Sequence, residues 1–176
     1  MMSTVNFIIA LIRAAVLNGT PLMFGTSGEI LTEKSGNMNL GVEGLMYMGG
    51  AFGLCGAWLY DRAAGGAANG VVAILIALTA SFLAGAAGAL IYSFLTVTLR
   101  ANQNVTGLAL TIFGTGAGQF VGELMRIKAG GNVAISNALK DSFANSPFPQ
   151  SVQSIPVAGQ LLFSYNIFVY IGLLST

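Results

Sequence analysis

The chain has 176 residues, 55% hydrophobic and 7% charged, with a mean hydropathy of +0.77. A soluble domain carries about 25% charged residues, so the composition excludes a water-soluble globule and points to a membrane protein. A net charge of +1 offers little to nucleic acid, and the lack of histidine excludes a His-based metal site and a Ser–His–Asp triad. No catalytic group, metal or cofactor is expected.

A spanning helix needs about 20 mostly apolar residues. The first candidate runs from Val5 through Phe24, with a possible extension to Leu31, and contains Arg13, Asn18 and Pro21. Pro21 should kink it, because proline lacks an N–H and clashes with the preceding turn. Arg13 either snorkels to the near interface, leaving the first residues on the membrane, or pairs with Glu29 or Glu43. Its closeness to the chain start favours snorkelling. The segment does not read as a signal peptide, since Arg13 lies inside the apolar core rather than before it.

A polar, glycine-rich stretch follows. Glu29 and Glu33 share a helix face; they sit among headgroups, line a gate or meet a partner. Gly36, Gly41 and Gly44 mark a backbone break near residues 35–41. Charged and amide groups at membrane depth, like broken backbone, survive only against protein or a wet cavity. Asn37, Asn39 and Glu43 are therefore candidates for a translocation path. Their side chains could meet sugar hydroxyls or base edges, or could hold the broken backbone by local bonds. Gly28 to Ser35 resembles a phosphate loop, but Glu33 stands where the second glycine belongs and no strand precedes it, so ATP binding is rejected.

The second span is read from Val42 to Tyr60, with Asp61 and Arg62 marking an interface. Cys55 lies within it and reads as a small buried hydrophobe. The third runs from Val71 to Thr98. Arg100 to Asn104 form a polar turn, and the fourth span covers Val105 to Met125. Residues 126–160 read as a polar loop with room for a short interfacial helix. A fifth apolar run begins at Leu161 and is still running at Thr176, so the chain looks cut within its fifth span. Two glycosylation sequons, at Asn18 and Asn104, lie in or beside spans and should not be used.

Small residues recur at every fourth position. Gly49, Gly53 and Ala57 form one stripe, Ser81, Gly85, Ala89 and Ser93 a second, and Gly114, Gly118 and Gly122 a third. Such stripes let helices approach closely. The expected fold is an all-α polytopic transmembrane bundle with four complete spans and a broken segment.

The runs Thr20-Pro21-Leu22, Gly28 to Met46 and Gly50-Ala51-Phe52 resemble the N-terminal half of bacterial ATP-binding cassette importer permeases, in the nucleoside or simple-sugar branch related to ribose-type permeases. Leu99 to Leu110, which contains Gln103 and Asn104, resembles a later motif of that family, and Ile155-Pro156 with Gly159 its outer-loop ending. The resemblance covers nearly the whole chain, which reads as the N-terminal part of one permease domain. It implies that Gln103 and Asn104 join the substrate path. It also implies a separate ATP-binding subunit, a second permease subunit, an extracytoplasmic substrate-binding lipoprotein and a place in the bacterial inner membrane.

Two departures stand out. The family usually has asparagine where this chain has Thr111. Its later half carries the helix that docks on the ATPase, and no such segment is recognised here, so this chain alone is not expected to couple to ATP hydrolysis. The resemblance puts the N-terminus outside and Arg100 inside, whereas Arg126, Lys128 and Lys140 would then lie outside, against the positive-inside rule. The alternatives to a permease are a non-transporting membrane scaffold and an ion-coupled secondary transporter, for which Glu43 is the candidate coupling carboxylate beyond the Glu29/Glu33 pair.

Overall fold

The computed structural model describes residues 4–155 and 157–175. Pro156 of the outer-loop motif lies outside them. The regular structure among the described residues is all helical, in the order α1 (Thr4–Lys34), α2 (Val42–Ala64), α3 (Gly70–Ser93), a π-helical turn (Phe94–Thr98), α4 (Gln103–Ala129), α5 (Asn137–Ala144), α6 (Gln150–Gln153), α7 (Ala158–Leu162) and α8 (Ile167–Ser175). Among the described residues three helical stretches are long and apolar enough to cross a membrane: α1, α3 with its π turn, and α4. The expected fourth span, α2, is 23 residues long and is not among these three.

α2 packs between α3 and α4, which touch each other little. It buries Gly44, Met48, Gly49, Gly53, Ala57 and Trp58. A helix enclosed by neighbours faces less lipid and can carry more glycine. At Gly53 an added Cβ would lie 3.1 Å from the Ala77 carbonyl oxygen, and at Gly44 2.6 Å from the Thr111 Cα. The Ser81 hydroxyl donates to the Gly49 carbonyl at 2.8 Å, tying α3 to α2. Cys55 is half-buried rather than enclosed.

The packing stripes turn out partly different from the expected ones. Gly114 and Gly118 meet the Gly44 backbone and the Tyr47 ring, whereas Gly85 and Gly122 have no neighbour where a Cβ would stand. A strict four-residue step drifts by about 40° each time around a helix of 3.6 residues per turn. The buried faces differ from those stripes: on α3, Ala84, Gly88 and Tyr92 keep the four-residue step one position earlier, with Ala73 a further three turns back, and on α4 Gly107, Leu110, Gly114 and Gly118 open with a step of three.

The chain forms two compact units, one of residues 29–142 and one of residues 1–28 with 143–176. In the second, Gly172 of α8 packs on Thr20 and Phe24 of α1, each about 3.3 Å from an added Cβ. Phe148 meets Phe163 and Tyr170 edge to face at 5.0 and 5.4 Å. The expected fifth span is interrupted. α7 stops at Leu162, and α8 begins at Ile167 with its Val169 N–H capped by the Asn166 side chain. The Tyr170 hydroxyl bridges the gap by donating to the Leu162 carbonyl at 2.8 Å.

α1 is one helix from Thr4 to Lys34 with Pro21 inside it, longer than the expected span and with no separate surface segment before Arg13. Arg13 pairs with neither Glu29 nor Glu43, and the ion pair found among the described residues is Arg126–Glu123. The Arg13 Nε is buried without a partner.

Candidate functional site

The backbone break falls at residues 35–41, where the glycine cluster placed it. α1 ends in a Schellman arrangement: Gly36 adopts φ +84°, its N–H reaches the Glu33 carbonyl, and the Asn37 N–H reaches the Thr32 carbonyl. Only glycine takes that φ without strain. Gly41 differs. Its φ is −89°, so conformational freedom is not its reason. An added Cβ would stand 2.8 Å from the Leu110 Cδ2 and 2.9 Å from the Asn39 Oδ1. Gly44, expected at the break, lies in the first turn of α2 and serves close packing instead.

The strap between α1 and α2 is held from three helices. From α1, the Glu29 carboxylate accepts the Asn39 N–H at 2.9 Å. From α3, the Tyr92 hydroxyl donates to the Met38 carbonyl at 2.6 Å. From α4, Gln103 accepts the Met38 N–H at 2.9 Å and donates to the Asn37 side-chain oxygen at 3.1 Å. The Thr111 hydroxyl donates to the Leu40 carbonyl at 2.8 Å. Within the strap, the Asn39 side chain accepts the Gly41 N–H at 2.9 Å, the short turn that asparagine favours. Buried backbone polar groups need partners, and a non-helical strap in a membrane protein gets them from side chains. α4 also comes close enough that a Cβ at Gly107 would lie 2.7 Å from the Leu40 nitrogen.

Of the residues proposed to line a path, Asn37, Asn39 and Gln103 thus come together in one network, and Asn39 is buried. The Asn39 and Gln103 amides hold backbone, while the Asn37 amide bonds the Gln103 and Ser35 side chains. Glu43 and Asn104 are exposed and outside that network. Glu29, Tyr92 and Thr111 complete the network. The sequence offers Glu29 for a gate, a headgroup contact, a partner or a pair with Arg13, and Thr111 only as a departure from the family pattern. Tyr92 carried no signal, because a hydroxyl bonding a carbonyl 54 residues away leaves no local pattern. The second Glu29 oxygen is buried with no protein partner.

Beside the strap, α3 and α4 frame an open cavity of about 230 Å³ lined by Ile91, Tyr92, Leu95, Thr106, Ala109, Leu110 and Phe113. Its two hydroxyls already donate within the protein, Tyr92 to Met38 and Thr106 to Asn102. The wall is otherwise apolar, so it offers no free donor to a sugar. Among the described residues no group of three or more Asp, Glu or Cys side chains is placed to hold a metal ion.

Residues 11–175 match the family model described as branched-chain amino acid transport system / permease component. The chain is 28% identical to the guanosine ABC transporter permease protein NupQ of Bacillus subtilis, over 93% of this chain and 48% of that protein. It is 27% identical to the putative glucose ABC transporter permease protein TsgC13 of Haloferax volcanii, over 97% of this chain and 46% of that one. It is 26% identical to the nucleoside ABC transporter permease protein NupC of Lactococcus lactis, over 93% and 48%. The chain spans about half the length of these curated relatives. No solved structure matches it. With its matching residues running almost end to end, the chain belongs to this permease family.

Proposed function

We propose that the chain serves as the N-terminal part of the permease subunit of an ATP-binding cassette importer, carrying a nucleoside or simple sugar across the cytoplasmic membrane. The observation that carries this reading is the family match over residues 11–175, joined to relatives named for guanosine, glucose and nucleosides. ATP would be hydrolysed by a separate subunit. A second permease subunit would complete the pathway, and an extracytoplasmic lipoprotein would deliver the substrate.

Within that role the strap divides the polar residues into two kinds. Asn39 and Gln103, with Glu29, Tyr92 and Thr111, shape the wall by holding the broken backbone in place, and Asn37 joins them through Gln103. Glu43 and Asn104 are exposed, which leaves their side chains free to meet a passing hydroxyl or amide. Amide and carboxylate groups suit both substrate classes, because sugars and nucleosides present hydroxyls in similar patterns.

Uptake of labelled guanosine and glucose tests the reading. Cells lacking their own uptake systems would express the full-length gene with its neighbouring ATPase and lipoprotein. Uptake that needs a hydrolysis-competent ATPase supports it. Uptake that survives an inactive ATPase but stops with a proton uncoupler would replace it with secondary transport, and no uptake of any solute would leave a scaffold.

A further inference from the structure

At the end of the helices opposite the strap, α2 and α4 bring two unpaired cations together. The Arg62 guanidinium lies 4.9 Å above the Trp58 ring, and its Nη1 donates to the Lys128 carbonyl at 3.0 Å. Trp58 is buried, so the stacked guanidinium rests on a fixed floor. Both Arg62 and Lys128 are exposed, and neither is in an ion pair among the described residues.

The nearby carboxylates are already committed. Asp61 accepts the Ser136 N–H at 2.6 Å and its hydroxyl at 2.9 Å. Glu123 holds Arg126 through two bonds of 2.6 and 2.8 Å. Neither carboxylate makes an ion pair with Arg62 or Lys128 among the described residues, and the Arg62 guanidinium has N–H groups beyond the one bonded to Lys128.

Depth identifies what they meet. Lys128 is the last but one residue of α4, one of the helices long and apolar enough to cross a membrane, and a spanning helix ends near the headgroups. The pair therefore stands at the headgroup layer. A guanidinium fork matches the geometry of a phosphate, and an ammonium adds a point charge. We infer that Arg62 and Lys128 form a site for the phosphate of an anionic phospholipid. This inference does not depend on the transport reading.

Each lysine or arginine near the surface contributes about a fivefold preference for anionic lipid. The test takes the full chain reconstituted in nanodiscs of phosphatidylcholine with a minority of phosphatidylglycerol, and counts by native mass spectrometry the lipids that stay bound. The wild type should retain phosphatidylglycerol above its bulk share. Lys128→Gln, which disturbs no packing, should lower that enrichment about fivefold. Arg62→Lys, which keeps the charge and loses the fork, should lower it less than Arg62→Gln. The joint Glu123→Gln and Arg126→Gln variant, which removes a pair already neutralised, should leave it unchanged. Equal enrichment in Lys128→Gln, Arg62→Gln and wild type would overturn the site. So would displacement of the lipid by millimolar glycerol 3-phosphate, which would mean a soluble phosphate ligand instead.

Discussion

Glu29 and Asn39 are joined across the end of α1: the Glu29 carboxylate accepts the Asn39 backbone N–H at 2.9 Å. Ten residues of chain separate them, and the contact folds the strap back against the helix it has just left. Replacing Glu29 by leucine strands a partly buried donor, which costs about 1–3 kcal/mol. Glu29→Gln keeps an acceptor of the same shape and should lose less. Thermal unfolding of the detergent-purified variants checks this, with a lower midpoint expected for the leucine variant than for the glutamine.

Tyr92→Phe and Thr111→Val each remove one hydroxyl from a strap carbonyl. Each should cost about 0.5–1.5 kcal/mol. The two hydroxyls act on Met38 and Leu40, two positions apart, so the double variant should depart from additivity if the strap moves as a unit. A double-mutant cycle on unfolding midpoints measures the coupling.

Gly44→Ala and Gly107→Ala should impair folding. The new methyl would stand 2.6 Å from the Thr111 Cα in the first case and 2.7 Å from the Leu40 nitrogen in the second. Overpacking against backbone costs about 1–3 kcal/mol or more. Gly85→Ala and Gly122→Ala meet open space and should fold normally. Monodispersity after purification separates the two pairs.

Gly41→Val should also fold poorly, because its side chain would enter the space of Leu110 and Asn39. Trimming the opposing side chain is the check. Leu110→Ala should partly rescue Gly41→Ala if the conflict is steric, whereas a purely conformational conflict would give no rescue.

On the transport reading, Glu43→Leu and Asn104→Leu should lower uptake while assembly and expression stay at wild-type levels, because neither side chain holds the fold. Asn39→Leu should lower both uptake and stability, since its side chain accepts the buried Gly41 N–H. Uptake normalised to the amount of folded protein distinguishes the two patterns.

The break at residues 35–41 was legible because glycines and amides crowd into an otherwise apolar chain. The bounds of α2, α3 and α4 were legible to within a few residues for the same reason: Asp61, Arg62 and the Arg100–Asn104 turn interrupt the apolar runs. What holds the strap was only half legible. Asn37, Asn39 and Gln103 stood out as amides. Tyr92 and Thr111 act on backbone carbonyls, which look alike in every residue, so only the fold reveals their partners. The role of Gly44 was misread because a glycine for close approach and a glycine for a turn are the same letter. The interruption at 163–166 was hidden inside an apolar run, where Tyr165 and Asn166 are too few to mark it.

The length of α1 has a consequence for how it fits its bilayer. Its 31 residues make a rod of about 46 Å against a hydrocarbon layer of about 30 Å. Tilt alone would have to reach about 50°, beyond the 0–40° that transmembrane helices adopt. The helix therefore has to bend at Pro21, which lacks the N–H that would continue the ladder, or carry part of its length outside the hydrocarbon.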